Sequence, residues 1–216
     1  LIEAVKQGLV TEEAIDEAVV RLFTTRMKLG FFDKDKGDNP YDSITYDAVD
    51  TPAMQELNLT AARESIVLLK NEDSLLPLST KRYPVIGVIG PNANSRTALV
   101  GNYEGTASRY VTVLEGIQDF VKGRCRVLYS EGCHLYKDRV RYDSGKENDR
   151  LSEVKAVCAA SDAVVVCLGL DALIEGEEAT EANGLIGGDK KDLKLPGLQQ
   201  SILETACDSG KPVILV

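Results

Sequence analysis

A chain of 216 residues amounts to about one and a half ordinary domains, so it reads as one domain with an attached piece and is short for a complete barrel enzyme. With 44% hydrophobic and 27% charged residues and a mean hydropathy of −0.12, the composition suits a packed soluble core and excludes a disordered or collagen-like chain. The 25 basic against 34 acidic side chains give a net charge of −9 and a pI near 4.8, a poor match to the basic footprint of a nucleic-acid binder.

Leu1 to Gln7 reads as a short helix stopped by Gly8. It has neither an initiator Met nor the basic and apolar regions of a signal peptide, so targeting information is expected to be missing. Thr11 then reads as the N-cap of a second helix, with Glu12 and Glu13 at the positive end of its dipole. Ile15, Ala18, Val19, Leu22 and Leu29 supply its apolar face and Gly30 its stop. Its acidic start argues against a DNA-binding helix-turn-helix.

Residues 31–50 are rich in charge, Gly and Pro without a sustained period, as a linker is. Thr51 as N-cap, Pro52 at the first helical position and the stripe Leu57, Ala61, Ser65, Leu68 predict a helix running to about Lys70. Asn58-Leu59-Thr60, formally a glycosylation sequon, falls inside it and reads as coincidence.

From Val85 onward short β-branched runs alternate with helical periods. Strands are expected at Val85–Ile89, Arg126–Tyr129, Ala163–Leu168 and Val213–Val216, and helices near Val111–Val121, Leu151–Ala159 and Leu198–Ala206. This order implies right-handed βαβ crossovers and a mainly parallel sheet flanked by helices on both faces, an α/β fold. A chain stopping on a strand reads as cut from a longer protein. The longest apolar run, Ala163 to Leu170, has strand length, so no membrane span is expected. Cys125, Cys133, Cys158, Cys167 and Cys207 are odd in number, lack CxxC spacing and read as buried free thiols, which lean toward a reducing compartment.

In parallel sheets ligands bind beyond the carboxyl ends of the strands. The loop after the first strand, Gly90-Pro91-Asn92-Ala93-Asn94, lacks GxGxxG spacing and makes a weak nucleotide cradle. After the third strand come Asp171, Glu175, Glu177, Glu178 and Glu181, five acids within eleven residues. On charge alone this is a solvated loop. The alternative is a carboxyl held as general acid beside a partner carboxylate, and spacing does not decide between them. The lone His134 argues against a metal centre, and no GxSxG surrounds any serine. Cys133 and His134, adjacent on an extended segment, point to opposite faces and make a poor catalytic pair.

Taken in order, the motifs resemble glycoside hydrolase family 3, the β-glucosidases and β-xylosidases, over essentially the full length. The run is Leu68-Leu69-Lys70-Asn71 with Leu76-Pro77-Leu78, then Ile89-Gly90-Pro91-Asn92-Ala93, Gly101-Asn102-Tyr103-Glu104-Gly105, Val111-Thr112-Val113-Leu114-Glu115-Gly116-Ile117 and Tyr129-Ser130-Glu131-Gly132-Cys133. The acidic loop, Asp189-Lys190-Lys191-Asp192-Leu193 and Leu195-Pro196-Gly197-Leu198-Gln199-Gln200 complete it. The resemblance implies that residues 1–30 are the last helices of a (β/α)8 barrel, 31–50 an interdomain linker and 51–216 part of an α/β sandwich domain. It places the nucleophile, an aspartate of the barrel, upstream of Leu1, so this piece alone is expected to be inactive. It places the acid/base on Glu177, with Glu175 and then Glu178 as fallbacks. Where many members have Asp-Arg after the glutamate, this chain has Asp189-Lys190 at a longer separation. The implied substrate is an oligosaccharide or an aryl or alkyl β-glycoside, the implied partner is the barrel of the same protein, and no cofactor or metal is implied. The runner-up is a non-catalytic doubly wound module binding a small ligand at Gly90 to Asn94, and a third reading is a purely structural sandwich domain.

Overall fold

The computed structural model describes residues 1–33, 41, 43–101, 105–137, 150–172, 174 and 192–216. They divide into two compact units, Leu1–Val67 and Leu68–Val216.

The first unit holds α1 (Ile2–Lys6), α2 (Glu12–Lys28) and α3 (Pro52–Ser65). The hydroxyls of Thr11 and Thr51 accept from the amides of Ala14 and Met54 at 3.2 and 3.3 Å, so each expected N-cap satisfies one otherwise unpaired helical donor. Gly8 and Gly30 end their helices at φ +69° and +75°. Such left-handed conformations are costly for residues with a Cβ. α3 stops at Ser65, earlier than expected, because Ile66 turns extended (φ −74°, ψ 123°). The β-branched pair Ile66-Val67 favours that change. Of the expected linker, 34–40 and 42 lie outside the described residues.

The second unit is built on β1 (Val85–Ile89), β2 (Arg126–Ser130), β3 (Ala163–Val166) and β4 (Val213–Leu215). They form a parallel sheet in the order β2-β1-β3-β4, so the mainly parallel α/β expectation holds. Between the strands run α4 (Val113–Val121), α5 (Leu151–Ala160) and α6 (Gln199–Asp208). Alternating residues of each strand face opposite sides of the sheet. Ile89, Val164 and Val166 pack with Val154 and Cys158 of α5 and Ile202 and Ala206 of α6. Ile86, Val88 and Val165 pack on the other face with Leu114 and Val121 of α4. Burial on both faces explains why the strands read as unbroken apolar runs.

Gly87 lets α5 close on β1: a Cβ there would stand 2.7 Å from Ser161 Oγ and 2.9 Å from Val157 Cγ1. At the amino end of the sheet, Val85 N donates to Asp162 Oδ2 and Asp162 N to Val85 O, both at 2.8 Å. Regular β3 ends at Val166, yet Cys167 N still reaches Ile89 O at 2.8 Å and Leu168 N reaches Val216 O at 3.0 Å. Gly169, at φ +129°, turns the chain off the sheet. Earlier in this unit Asn71 and Leu76 exchange reciprocal bonds, Asn71 Nδ2 to Leu76 O at 3.0 Å and Leu76 N to Asn71 Oδ1 at 2.9 Å. That closed loop gives the Asn71 of the leading motif a structural task.

Candidate active site

The loops beyond the carboxyl ends of the strands meet at one edge. After β1, Asn92 Nδ2 donates to Leu170 O at 3.3 Å, Ala93 is fully buried and its carbonyl accepts from Leu114 N at 2.9 Å. Asn94 Oδ1 accepts from Thr112 Oγ1 at 3.0 Å. Thr112 and Glu115 close a capping box at the start of α4, Glu115 N on Thr112 Oγ1 at 3.2 Å and Thr112 N on Glu115 Oε2 at 2.9 Å. The helix-start amides of Leu114 and Glu115, which a phosphate cradle would use here, are engaged by the chain itself, which weighs against the runner-up.

After β2, the Ser130 hydroxyl donates to Glu153 Oε2 at 2.9 Å and accepts from Gly132 N at 3.1 Å, while Arg150 pairs with Glu131. These bonds hold the segment against the start of α5. Burial, with the Glu131 charge adding to it, pushes the Cys133 thiol up to about 12. The imidazole of His134 accepts on Nδ1 from the amides of Tyr136 and Lys137, both at 3.2 Å, so its neutral form carries the proton on Nε2. Burial, followed by the nearby Lys137 charge, lowers its pKa. A thiol that stays protonated beside an imidazole whose acceptor is taken by backbone is no nucleophile–base pair.

The candidate glutamates Glu175, Glu177 and Glu178 lie outside the described residues, as do 102–104 of the Gly101–Gly105 motif and Asp189, Lys190 and Lys191. The stretches leading into and out of this acidic loop are described. On entry, Ile174, directly before Glu175, is only 2% exposed, and its amide donates to Asp171 O at 3.2 Å. Burying an isoleucine contributes about 2 kcal/mol, more than the roughly 1 kcal/mol of one hydrogen bond, so the side chain is the stronger anchor. On exit, Gly197 takes φ +54° and lies against the backbone of Tyr136, where a Cβ would come within 2.8 Å of the carbonyl carbon.

Gln199, fully buried at the start of α6, joins the two stretches. Its Oε1 accepts from Gly169 N at 2.8 Å, and its Nε2 donates to Gly169 O at 2.8 Å and to Leu135 O at 2.6 Å. Sequence reasoning placed Gln199 in a motif and gave it no role. The signal was its position on the inward stripe with Ile202 and Ala206, where an amide has to be hydrogen-bonded.

Among the described residues no cluster of three His, Cys, Asp or Glu side chains suits a metal ion. A hollow lined by Lys155, Cys158, Thr205 and Asp208 sits between the C-terminal halves of α5 and α6, away from this edge. What the described residues show at this edge is two stretches of chain, Gly169 and Gly197–Gln199, held together and to the loop after β2 by the Gln199 carboxamide and the Gly197 contact.

Comparison with known proteins fits this architecture. Residues 66–216 match the model of the glycosyl hydrolase family 3 C-terminal domain. The chain is 39% identical over 214 residues to beta-xylosidase/alpha-L-arabinofuranosidase 1 of Medicago sativa subsp. varia, covering 99% of this chain and 25% of that protein. Among solved structures it resembles a GH3 exo-beta-xylosidase in complex with a xylobiose aziridine activity-based probe (TM-score 0.76, 31% identity, 99% of this chain and 25% of that one). It also resembles a β-glucosidase from Erythrobacter marinus (TM-score 0.73, 26% identity, 99% of this chain and 29% of that one). The chain thus spans about a quarter of the length of the curated relatives it matches.

Proposed function

The chain belongs to glycosyl hydrolase family 3, and from that premise we propose that it is part of a retaining β-glycosidase to which it supplies the acid/base carboxyl, Glu177. Residues 1–30 are then the last helices of a (β/α)8 barrel, 31–50 the linker and 51–216 part of the sandwich domain. An aspartate of the barrel attacks the anomeric carbon while protonated Glu177 donates to the departing oxygen. Glu177 then takes a proton from the water that releases the sugar, the two carboxyls standing about 5 Å apart. What supports this reading is the anchoring of the chain on either side of the acidic stretch: Ile174, which precedes Glu175, is buried, and Gln199 at the start of α6 holds Gly169 and Leu135. Glu175 is the first fallback and Glu178 the second.

Terminal β-D-xylosyl residues of oligosaccharides and glycosides are the first substrates to test, because identity to the named xylosidases, 39% and 31%, exceeds the 26% to the glucosidase. Terminal β-D-glucosyl residues come second.

The test is made in the full-length enzyme. Glu177→Ala is expected to lower kcat/KM for poor leaving groups by roughly 100-fold or more, while kcat/KM for an activated aryl glycoside, which needs no proton, barely moves. Azide should restore turnover of the activated substrate and yield a β-glycosyl azide. Rescue confined to Glu175→Ala or Glu178→Ala would transfer the role to that residue, and equal losses on both substrates in all three variants would take it off the loop. The 216-residue chain alone is expected to hydrolyse nothing, the attacking aspartate lying outside it.

A further inference from the structure

Four polar side chains are buried among the described residues: Thr112, Ser130, Ser161 and Gln199. Three are small hydroxyls that serve the nearest helix. Thr112 caps α4, Ser130 reaches Glu153 in the first turn of α5, and Ser161 donates to Val157 O near the end of α5. Gln199 differs in kind. It is long and fully buried, and its hydrogen bonds all go to backbone outside its own helix.

An inward position of an amphipathic helix is served more simply by an aliphatic residue, and burying an amide is tolerated only where its bonds are made. Here the carboxamide reproduces a peptide pairing. Oε1 takes the N–H of Gly169 and Nε2 gives to its C=O, so the residue at which the chain leaves β3 is held at two points and its plane is fixed. The second N–H grips Leu135 in the loop after β2, and two residues upstream of the amide Gly197 rests on Tyr136 of that same loop. Entry and exit of the acidic loop are thereby tied to each other and to one neighbour.

We propose that Gln199 is a positioning residue for the acid/base: by locking Gly169 and Leu135 to the start of α6, it fixes the roots from which the loop presents its glutamate to the glycosidic oxygen. This rests on the reading that the acid/base lies in that loop. It assigns no contact with substrate to Gln199. A carboxyl displaced by about 1 Å loses much of its effect on proton transfer, whereas substrate binding and nucleophilic attack on an activated substrate, both carried by other residues, are left in place.

The experiment uses the full-length enzyme with Gln199→Met, which removes all three bonds at similar volume, and Gln199→Glu, which keeps an acceptor for Gly169 N and loses both donors. Each variant is normalised to the sites labelled by an activated 2-deoxy-2-fluoro-β-glycoside, so misfolded protein is not counted. Substrates are aryl β-D-xylosides, or β-D-glucosides if the wild type prefers them, over a range of leaving-group basicity. Gln199→Met is expected to lower kcat/KM roughly 10- to 100-fold for phenyl and alkyl glycosides and less than about threefold for dinitrophenyl glycosides. On the dinitrophenyl substrate kcat and KM should fall together, because slowed deglycosylation lets the glycosyl-enzyme accumulate, and azide should raise kcat. Gln199→Glu should fall between the wild type and Gln199→Met, and it decides the matter if Gln199→Met yields no labelled sites.

Glu177→Ala, Glu175→Ala and Glu178→Ala are measured alongside. If a loop glutamate shows the leaving-group dependence and the Gln199 variants lose activity equally across the series, the positioning role is overturned and the acid/base reading stands. If none of the three glutamates shows it, that reading falls and the positioning role with it.

Discussion

A Cβ placed on Gly90 would stand 2.1 Å from the carbonyl oxygen of Cys167. The end of β1 and the continuation of β3 therefore approach to a distance that only glycine permits, and Gly90 sits at φ +116° besides. That approach sets Asn92 within reach of Leu170 O and starts the third loop from a fixed point. Gly90→Ala combines a backbone clash with a disfavoured conformation and is expected to cost at least ~3 kcal/mol. Gly101→Ala, with nothing within 4 Å of its built Cβ, should change stability by less than about 0.5 kcal/mol. Thermal unfolding of the two variants of the full-length enzyme checks the contrast, and equal midpoints would show that the strands yield at Gly90.

The capping box of α4 makes a pH-dependent prediction. The backbone amide of Thr112 holds the Glu115 carboxyl below its ordinary 4.5, with the Thr112 hydroxyl and the charges of Arg96 and Arg109 acting the same way. A carboxyl depressed on folding contributes stability that is present above its unfolded value and lost as the pH falls through the folded one. Glu115→Gln should thus be less stable than wild type at pH 7, by a margin that narrows as the pH falls below 4.5. Thr112→Ala also removes the bond to Asn94 and should cost about 1–2 kcal/mol at neutral pH. Its deficit should shrink on acidification only by the part owed to Glu115. Denaturant midpoints at pH 7 and pH 3.5 read both.

Most of this fold was legible because the sheet is buried on both faces. Val85–Ile89 and Ala163–Val166 are apolar at every position or nearly so, and Thr11, Thr51 and Gly30 mark helix ends by side-chain chemistry alone. Boundaries slipped where tertiary or conformational preference overrode periodicity. α3 ended at Ser65 although the helical stripe extended to Leu68, and α4 began at Val113 because Thr112 forms the cap. The site was legible only as chemistry. Five acids in one loop raise the possibility of a general acid, but the bonds that hold the loop join residues 30 and 64 positions apart, Gly169 and Leu135 to Gln199. No local pattern encodes such pairs. Ile174 was equally invisible, one apolar residue among acids whose burial follows from the third dimension.

Ile174 provides a packing counterpart to the amide clamp. It is fully enclosed immediately before the first candidate glutamate, so truncation leaves a cavity at the loop's entry. Ile174→Val should cost about 0.5–1.5 kcal/mol and Ile174→Ala about 2–5 kcal/mol. If the side chain anchors the loop, kcat/KM on poor leaving groups should fall in the same order at temperatures well below either midpoint, with activated substrates affected less. Loss of stability with an unaltered leaving-group profile would reduce Ile174 to a core residue.

The thiols supply a prediction independent of function. Cys133 and Cys167 are each 2% exposed. Burial raises both, Cys133 to about 12 with help from Glu131, and Cys167 to about 11. At pH 8 the thiolate fraction of a group titrating near 12 is about one in ten thousand, so neither should react with a disulfide reagent on the timescale of the exposed Cys207. The native enzyme should show Cys207 as the fast thiol of this segment, and Cys133 and Cys167 should appear only on unfolding. The same shifts fix a sign. A folded thiol that holds its proton above the free value near 9.0 contributes stability that is complete below pH 9 and is lost as the pH rises toward 12. Unfolding free energy should therefore decline between pH 9 and 11, and Cys133→Ala, although less stable at neutral pH for want of the sulfur's packing, should decline less steeply. An identical slope in the two proteins would mean that Cys133 reaches water in the native state, and the enclosure of the loop after β2 would have to be redrawn.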